Sequence, residues 1–209
     1  MKNNTKLLIA VLLGTCLLNT ACKKDAYIIG GGLNQAKVNM TTYDYLKANS
    51  QHLFDTLLLL IDKAGLKDEI NQPGITFFAP TDYSIDNYLL KKIYYQGYSR
   101  YTLDSMYKYD MTSFKDSLGM YIVKDTMSFG GLTAAGKSFP TLWSTVQTVI
   151  SNEPVLSSSL GYYNAISNPP TIIYNTTLGI HTRCQTFGVQ TTTGVLGVLG
   201  NEHILFFNR

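Results

Sequence analysis

The chain is predicted to fold as an α+β domain behind an N-terminal leader. Two observations carry this: apolar residues recur at helical spacing through the first half of the chain, and short β-prone runs separated by Gly, Asn, Ser and Pro fill the second half. A third, the order of the two textures, excludes a regular alternation of strand and helix.

The leader comes first. Lys2 and Lys6 precede an apolar run at 7–18, and small residues then lead to Asn19-Thr20-Ala21-Cys22. This is the layout of a secretory signal peptide, and the run is shorter than the ~20 residues a membrane-spanning helix needs. Its end resembles a bacterial lipobox, with Leu18 four residues before Cys22. Cys16 is a second candidate, but cutting there would leave an apolar stub, so residues 1–21 are expected to be removed and Cys22 acylated. Residues 22–38 then form a tether: Gly30-Gly31-Gly32 holds neither helix nor strand cheaply, and the linker reaches ~20–24 Å. A cell-envelope location, in the outer membrane, is expected, with the membrane engaged through the lipid.

Residues 39–209 are expected to form one domain. A helix begins near Thr41 and continues through Leu53, Phe54, Leu57, Leu58 and Ile61 to Ala64-Gly65, where Gly65 suits a left-handed cap. Asn71-Gln72-Pro73-Gly74 is a turn. Ile75-Thr76-Phe77-Phe78-Ala79 is a strand; with neighbours on opposite faces, one of Phe77 and Phe78 should enter the core and the other should not. Thr81, Asp82 and Ser84 are candidate caps for a helix through Leu89, Leu90 and Ile93, and another helix covers 103–118. Strands follow from Tyr121 onward.

Composition excludes some functions. The two lysines of residues 1–21 removed from the 17 basic residues leave 15 against 14 acidic, a formal +1. No basic stripe suits nucleic acid. Once Cys16 is cut away and Cys22 acylated, Cys184 remains as a single thiol, and no internal disulfide can form. Contacts are therefore expected to rest on apolar and aromatic area, with weak salt dependence.

Three stretches, in order, resemble the fasciclin domain family. Gly74-Ile75-Thr76-Phe77-Phe78-Ala79-Pro80-Thr81-Asp82 resembles the first motif, TxFAPT before a capped helix, and Ala64-Gly65-Leu66 upstream matches the family's helix ending. Leu118-Gly119-Met120-Tyr121-Ile122-Val123 aligns with the central Tyr-His motif. The stretch 189–199, with Thr193-Gly194-Val195, is similar to the last motif, and His203-Ile204-Leu205-Phe206-Phe207 fits its closing strand. The resemblance covers roughly 39–207. It implies a wedge-shaped β-sandwich with N-terminal and flanking helices, and a role in adhesion or surface interaction. Ile122 and Gly197 stand where the family has histidines, and Thr193 where it has Asn, so interior contacts through those histidines are not expected.

Signatures of chemistry are few. Gly131-Leu132-Thr133-Ala134-Ala135-Gly136-Lys137-Ser138 matches the phosphate-loop pattern GxxxxGK[ST], but Pro140 and the β-branched run after it favour extended chain over the helix that such a loop needs. A hairpin loop is expected, with no nucleotide and Lys137 dispensable. His52, His181 and His203 lie apart, with no metal-ligand spacing, and are expected at the surface or at strand ends; no metal or cofactor is expected. No GxSxG elbow is present, and no enzyme activity is expected. Tyr83, Tyr88, Tyr94, Tyr95, Tyr98, Tyr101, Tyr107 and Tyr109 crowd the middle. About half should line the core; the rest would be free to stack on sugars or anchor an envelope protein, which makes a carbohydrate-binding or carbohydrate-processing accessory lipoprotein the alternative. Ser105, Ser117 and Thr126 each follow an Asp and precede Met or Leu, a pattern resembling O-glycosylation sites of one bacterial group; local capping is the plainer account.

Overall fold

The computed structural model describes residues 37–109, 111–128, 132–133, 136–143, 147–151, 171–175 and 180–208. All of them belong to the compact unit Leu33–Arg209. The leader, Cys22 and most of the tether lie outside the described residues.

The helical half opens with α1 (Thr42–Lys47), where the Thr41 hydroxyl accepts from the Asp44 amide at 3.1 Å. The single helix expected here is two. At 48–54 the Asn49 carboxamide oxygen accepts from the Gln51 and Leu53 amides, and His52 adopts a left-handed φ of 55°. These local bonds compete with the helical ladder, so α2 (Asp55–Ala64) starts afresh and ends, as expected, at a left-handed Gly65, φ 65°. After α3 (Lys67–Ile70), β1 (Ile75–Ala79) leads into α4 (Asp82–Gln96), which ends at left-handed Gly97. Two helices, α5 (Leu103–Tyr109) and α6 (Met111–Gly119), occupy the stretch where one was expected.

The strands are β2 (Ile122–Val123), β3 (Lys137–Pro140), β4 (Gln147–Ser151), β5 (Thr171–Asn175), β6 (Ile180–Gln190) and β7 (Gly194–Leu199). Their order is β2-β1-β7-β6-β5-β4-β3. Among the strands of the described residues only β1 and β7 run parallel, with Phe77 opposite Leu196, and the other strand pairs are antiparallel. The eleven-residue β6 joins two half-sheets: Thr182 and Arg183 pair with β5, and the stretch from Cys184 pairs with β7 through two register shifts. Such bulges bend a strand, which lets it pass from one layer to the other. The chain after β3 returns to β2: the Lys124 amide donates to the Pro140 carbonyl (3.0 Å) and the Leu142 amide to that of Ile122 (2.8 Å).

Phe77 and Phe78 are both buried, as is every residue of β1. The expected contrast between them fails because β1 lies inside the sheet and is covered on both faces. Residues 203–207 also depart from the expected strand. They carry the start of a 3-10 turn (Leu205–Asn208), with Phe206 at a φ of 60°.

Candidate interaction surface

Each end of the first motif has a job. The Thr76 hydroxyl on β1 donates to the Asp125 carbonyl (2.7 Å) and accepts from the Met127 amide (3.0 Å), which fixes the turn after β2. Asp82 does not cap its own helix. Its carboxylate reaches α2, accepting from the Thr56 and Leu57 amides at 2.9 and 3.0 Å, so one side chain locks the starts of two helices together. Thr81 is the α4 N-cap by backbone only, and its hydroxyl donates to the Asn201 side-chain oxygen. The Ser84 hydroxyl is buried without a hydrogen-bond partner.

That carboxamide belongs to a polar seam that fastens the chain end to α4. Asn87 donates to the carbonyls of Asn201 and His203, both at 3.0 Å. The Tyr121 hydroxyl lies 2.7 Å from His203 Nε2 and accepts from the Phe206 amide at 2.8 Å. The phenol thus joins the closing turn to the imidazole through one oxygen. Burial pushes the His203 pKa down to about 3 and raises that of Tyr121. The surface or strand-end position expected of His203 is therefore wrong: it is buried. An interior histidine contact exists, supplied from His203 instead of positions 122 or 197. Its one signal in the sequence is its place at the head of the apolar run Ile204-Leu205-Phe206-Phe207. Gly197 has its own reason. A Cβ there would lie 2.9 Å from Phe187 Cδ2 and 3.0 Å from Phe78 Cδ1, whose rings stack at 5.7 Å. The aromatic pair occupies the space that a side chain would need.

The other face of α4 is open. Tyr88 and Ile85 point inward, Tyr88 edge-on to Phe206. Tyr83, Leu90 and Tyr94, spaced by seven and four, share one exposed stripe about 16 Å long; Tyr95, about 100° round the helix from it, and Tyr98, beyond the helix end, are exposed as well. Tyr94 and Tyr95 are 76% and 82% exposed. Tyr101 is buried and Tyr107 half-buried, so the tyrosines divide between core and surface as expected.

The fasciclin domain profile matches residues 52–178. The chain belongs to the fasciclin family. In fold, this fasciclin domain is similar to the solved FAS1 domain pair from the insect cell adhesion molecule Fasciclin I, at a TM-score of 0.52 and 14% identity. The match covers 76% of this chain and 47% of the insect one, so the chain spans about half of the insect protein's solved length. No curated protein matches the chain.

The remaining residues singled out in the sequence scatter over this fasciclin domain. Lys137 opens a strand, with Nζ 5.1 Å from the Phe139 ring, where a phosphate loop would open a helix; Gly131, Ala134 and Ala135 of that loop lie outside the described residues. His52 pairs with Asp55 at the surface (3.0 Å). His181 is exposed on β6 while Cys184 is buried, as an odd spacing on a strand requires, so the two do not form a site. Among the described residues no group of three or more His, Cys, Asp or Glu is placed to hold a metal ion. The Ser105 hydroxyl accepts from the Thr102 amide at 3.3 Å in a reciprocal cap at the start of α5, Ser117 is half-buried, and Thr126 is exposed in the turn after β2.

Proposed function

We propose that this chain is a non-catalytic adhesion or interaction module, held at the cell envelope by acylation of Cys22, with the exposed face of α4 as its contact surface. The observation that carries the reading is the exposed stripe of Tyr83, Leu90 and Tyr94 on α4, a helix that Asn87 fastens to the chain end. A rigid scaffold presenting exposed rings suits a binding role, since Tyr offers large contact area at low entropic cost. Membership of the fasciclin family supports it, as does the adhesion role named for the insect protein. The leader and the lipobox-like end support a location outside the cytoplasm, in the outer membrane. Thr126 is the best displayed of the three glycosylation candidates. The test is Cys22→Ala followed by cell fractionation and acyl analysis: the variant should leave the membrane fraction and carry no acyl chain, and an acylated, membrane-bound variant would sink the anchor.

The exposed tyrosines also favour a second reading, a carbohydrate-binding accessory lipoprotein. A glycan array separates the two: selective glycan capture lost in Tyr94→Ser with Tyr95→Ser would establish the second.

A further inference from the structure

A cleft of about 220 Å3 opens at the β2 edge of the sheet, between α3 with its following turn on one side and the end of β2 on the other. Its floor follows from register. Phe77 stands opposite Ile122, and residues two apart on a strand share a face, so Ile75 and Lys124 lie on the same face as that pair. In the adjoining segment the Leu142 amide donates to the Ile122 carbonyl (2.8 Å), and the Leu142 side chain completes an apolar floor with Ile75 and Ile122. Thr76 and Val123 face the other way, where Thr76 holds the turn after β2.

The walls carry opposite charges. Glu69 and Gln72 line one, and Lys124 lines the other. The first wall is fixed in place: the Asn71 carboxamide accepts from the Tyr43 amide (3.0 Å), and the Gln72 amide donates to the Glu69 carbonyl (3.3 Å). The Gln72 side chain donates to one carboxylate oxygen of Glu69 (2.9 Å), which leaves the second oxygen able to accept. Among the described residues neither Glu69 nor Lys124 enters an ion pair, with the other or with a third group.

Each feature removes a class of occupant. A cavity of about 150 Å3 takes a benzene-sized guest, so this cleft is too small for an oligosaccharide or a nucleotide. An inorganic ion would leave the apolar floor uncovered. A fatty acid or an alkylamine would answer one wall and set hydrocarbon against the charge of the other. A zwitterion with a short aliphatic chain meets the floor and both walls: ammonium on Glu69, carboxylate on Lys124, side chain on Ile75, Ile122 and Leu142. We propose that this cleft binds a free aliphatic α-amino acid of leucine's size. The site is separate from the α4 stripe and independent of the lipid anchor.

The test is ligand-observed NMR on the full chain, with L-leucine as the probe. Saturation transfer to leucine should appear at roughly millimolar ligand, the strength that so few contacting atoms allow. Leucinamide lacks the carboxylate, isocaproate lacks the ammonium, and glycine lacks the chain; each should bind roughly 5-fold more weakly. Lys124→Gln should remove the preference for leucine over leucinamide, and Glu69→Gln the preference for leucine over isocaproate. Lys124 is exposed and Glu69 half-buried, so both variants should keep the parent's circular dichroism. No transfer to leucine at millimolar concentration, an equal response to all four compounds, or preferences that survive both substitutions would overturn the proposal.

Discussion

His203 and Tyr121 tie acid sensitivity to a single buried contact. The imidazole is neutral in the fold, with its pKa depressed to about 3, and titrates near 6.5 once exposed. Between those values the unfolded chain binds a proton that the folded chain refuses. Stability should therefore be unaffected above about pH 6.5 and fall as pH drops toward 3, at about 1.4 kcal/mol per pH unit from this group. Urea titrations from pH 7 to 4 on the parent and on His203→Gln check it: the variant should be less stable at pH 7 and show a shallower slope. Tyr121→Phe strands both the Phe206 amide and His203 Nε2, and should cost about 1–3 kcal/mol. At Gly197 an added methyl meets two stacked rings, so Gly197→Ala should cost about 1–3 kcal/mol, and Phe187→Leu should recover part of the loss in a double-mutant cycle. Gly194 faces the Ile75 carbonyl across the parallel pair and has still less room. None of this was legible beforehand. Sequence shows which residue types are present, and the space at Gly197 is defined only by side chains ten and 119 residues away.

At the scale of elements, β1 behaves differently from the half-exposed strand expected. With Phe77 and Phe78 both buried, truncation of either to Ala should cost about 3–5 kcal/mol, measurable as matching shifts in denaturant midpoint. The helices were legible where local chemistry decides them. Gly65 ends α2 because a left-handed residue is needed there, and β1 stops before Pro80. They were illegible where a distant group decides. Asp82 looks like the cap of its own helix, yet its carboxylate serves α2, 25 residues back. Asp82→Ala should cost about 1–2 kcal/mol, with faster amide exchange at Thr56 and Leu57 as the distinguishing readout. His203 and its neighbours read as a strand by composition. The seam to Asn87 and Tyr121 draws them into a 3-10 turn instead, an override that no β-propensity anticipates. The tyrosine face was half legible: the count of rings was plain, but which stood outside depended on how α4 lies against Phe206.

At the scale of the molecule, the order of strands in space and the order of their synthesis disagree. β7 is the last strand made, yet it lies between β1 and β6 and pairs with both. Residue 75 must wait for residue 194 before its parallel partner exists. Every stage before that holds the two halves of the sheet without the piece that unites them, and such distant pairing is slow to close. Unlike a hairpin-rich domain that sets as it emerges, this chain carries a built-in delay. Resistance to protease should therefore appear only once its final strand is present, which limited proteolysis of a chain cut before β7 would check.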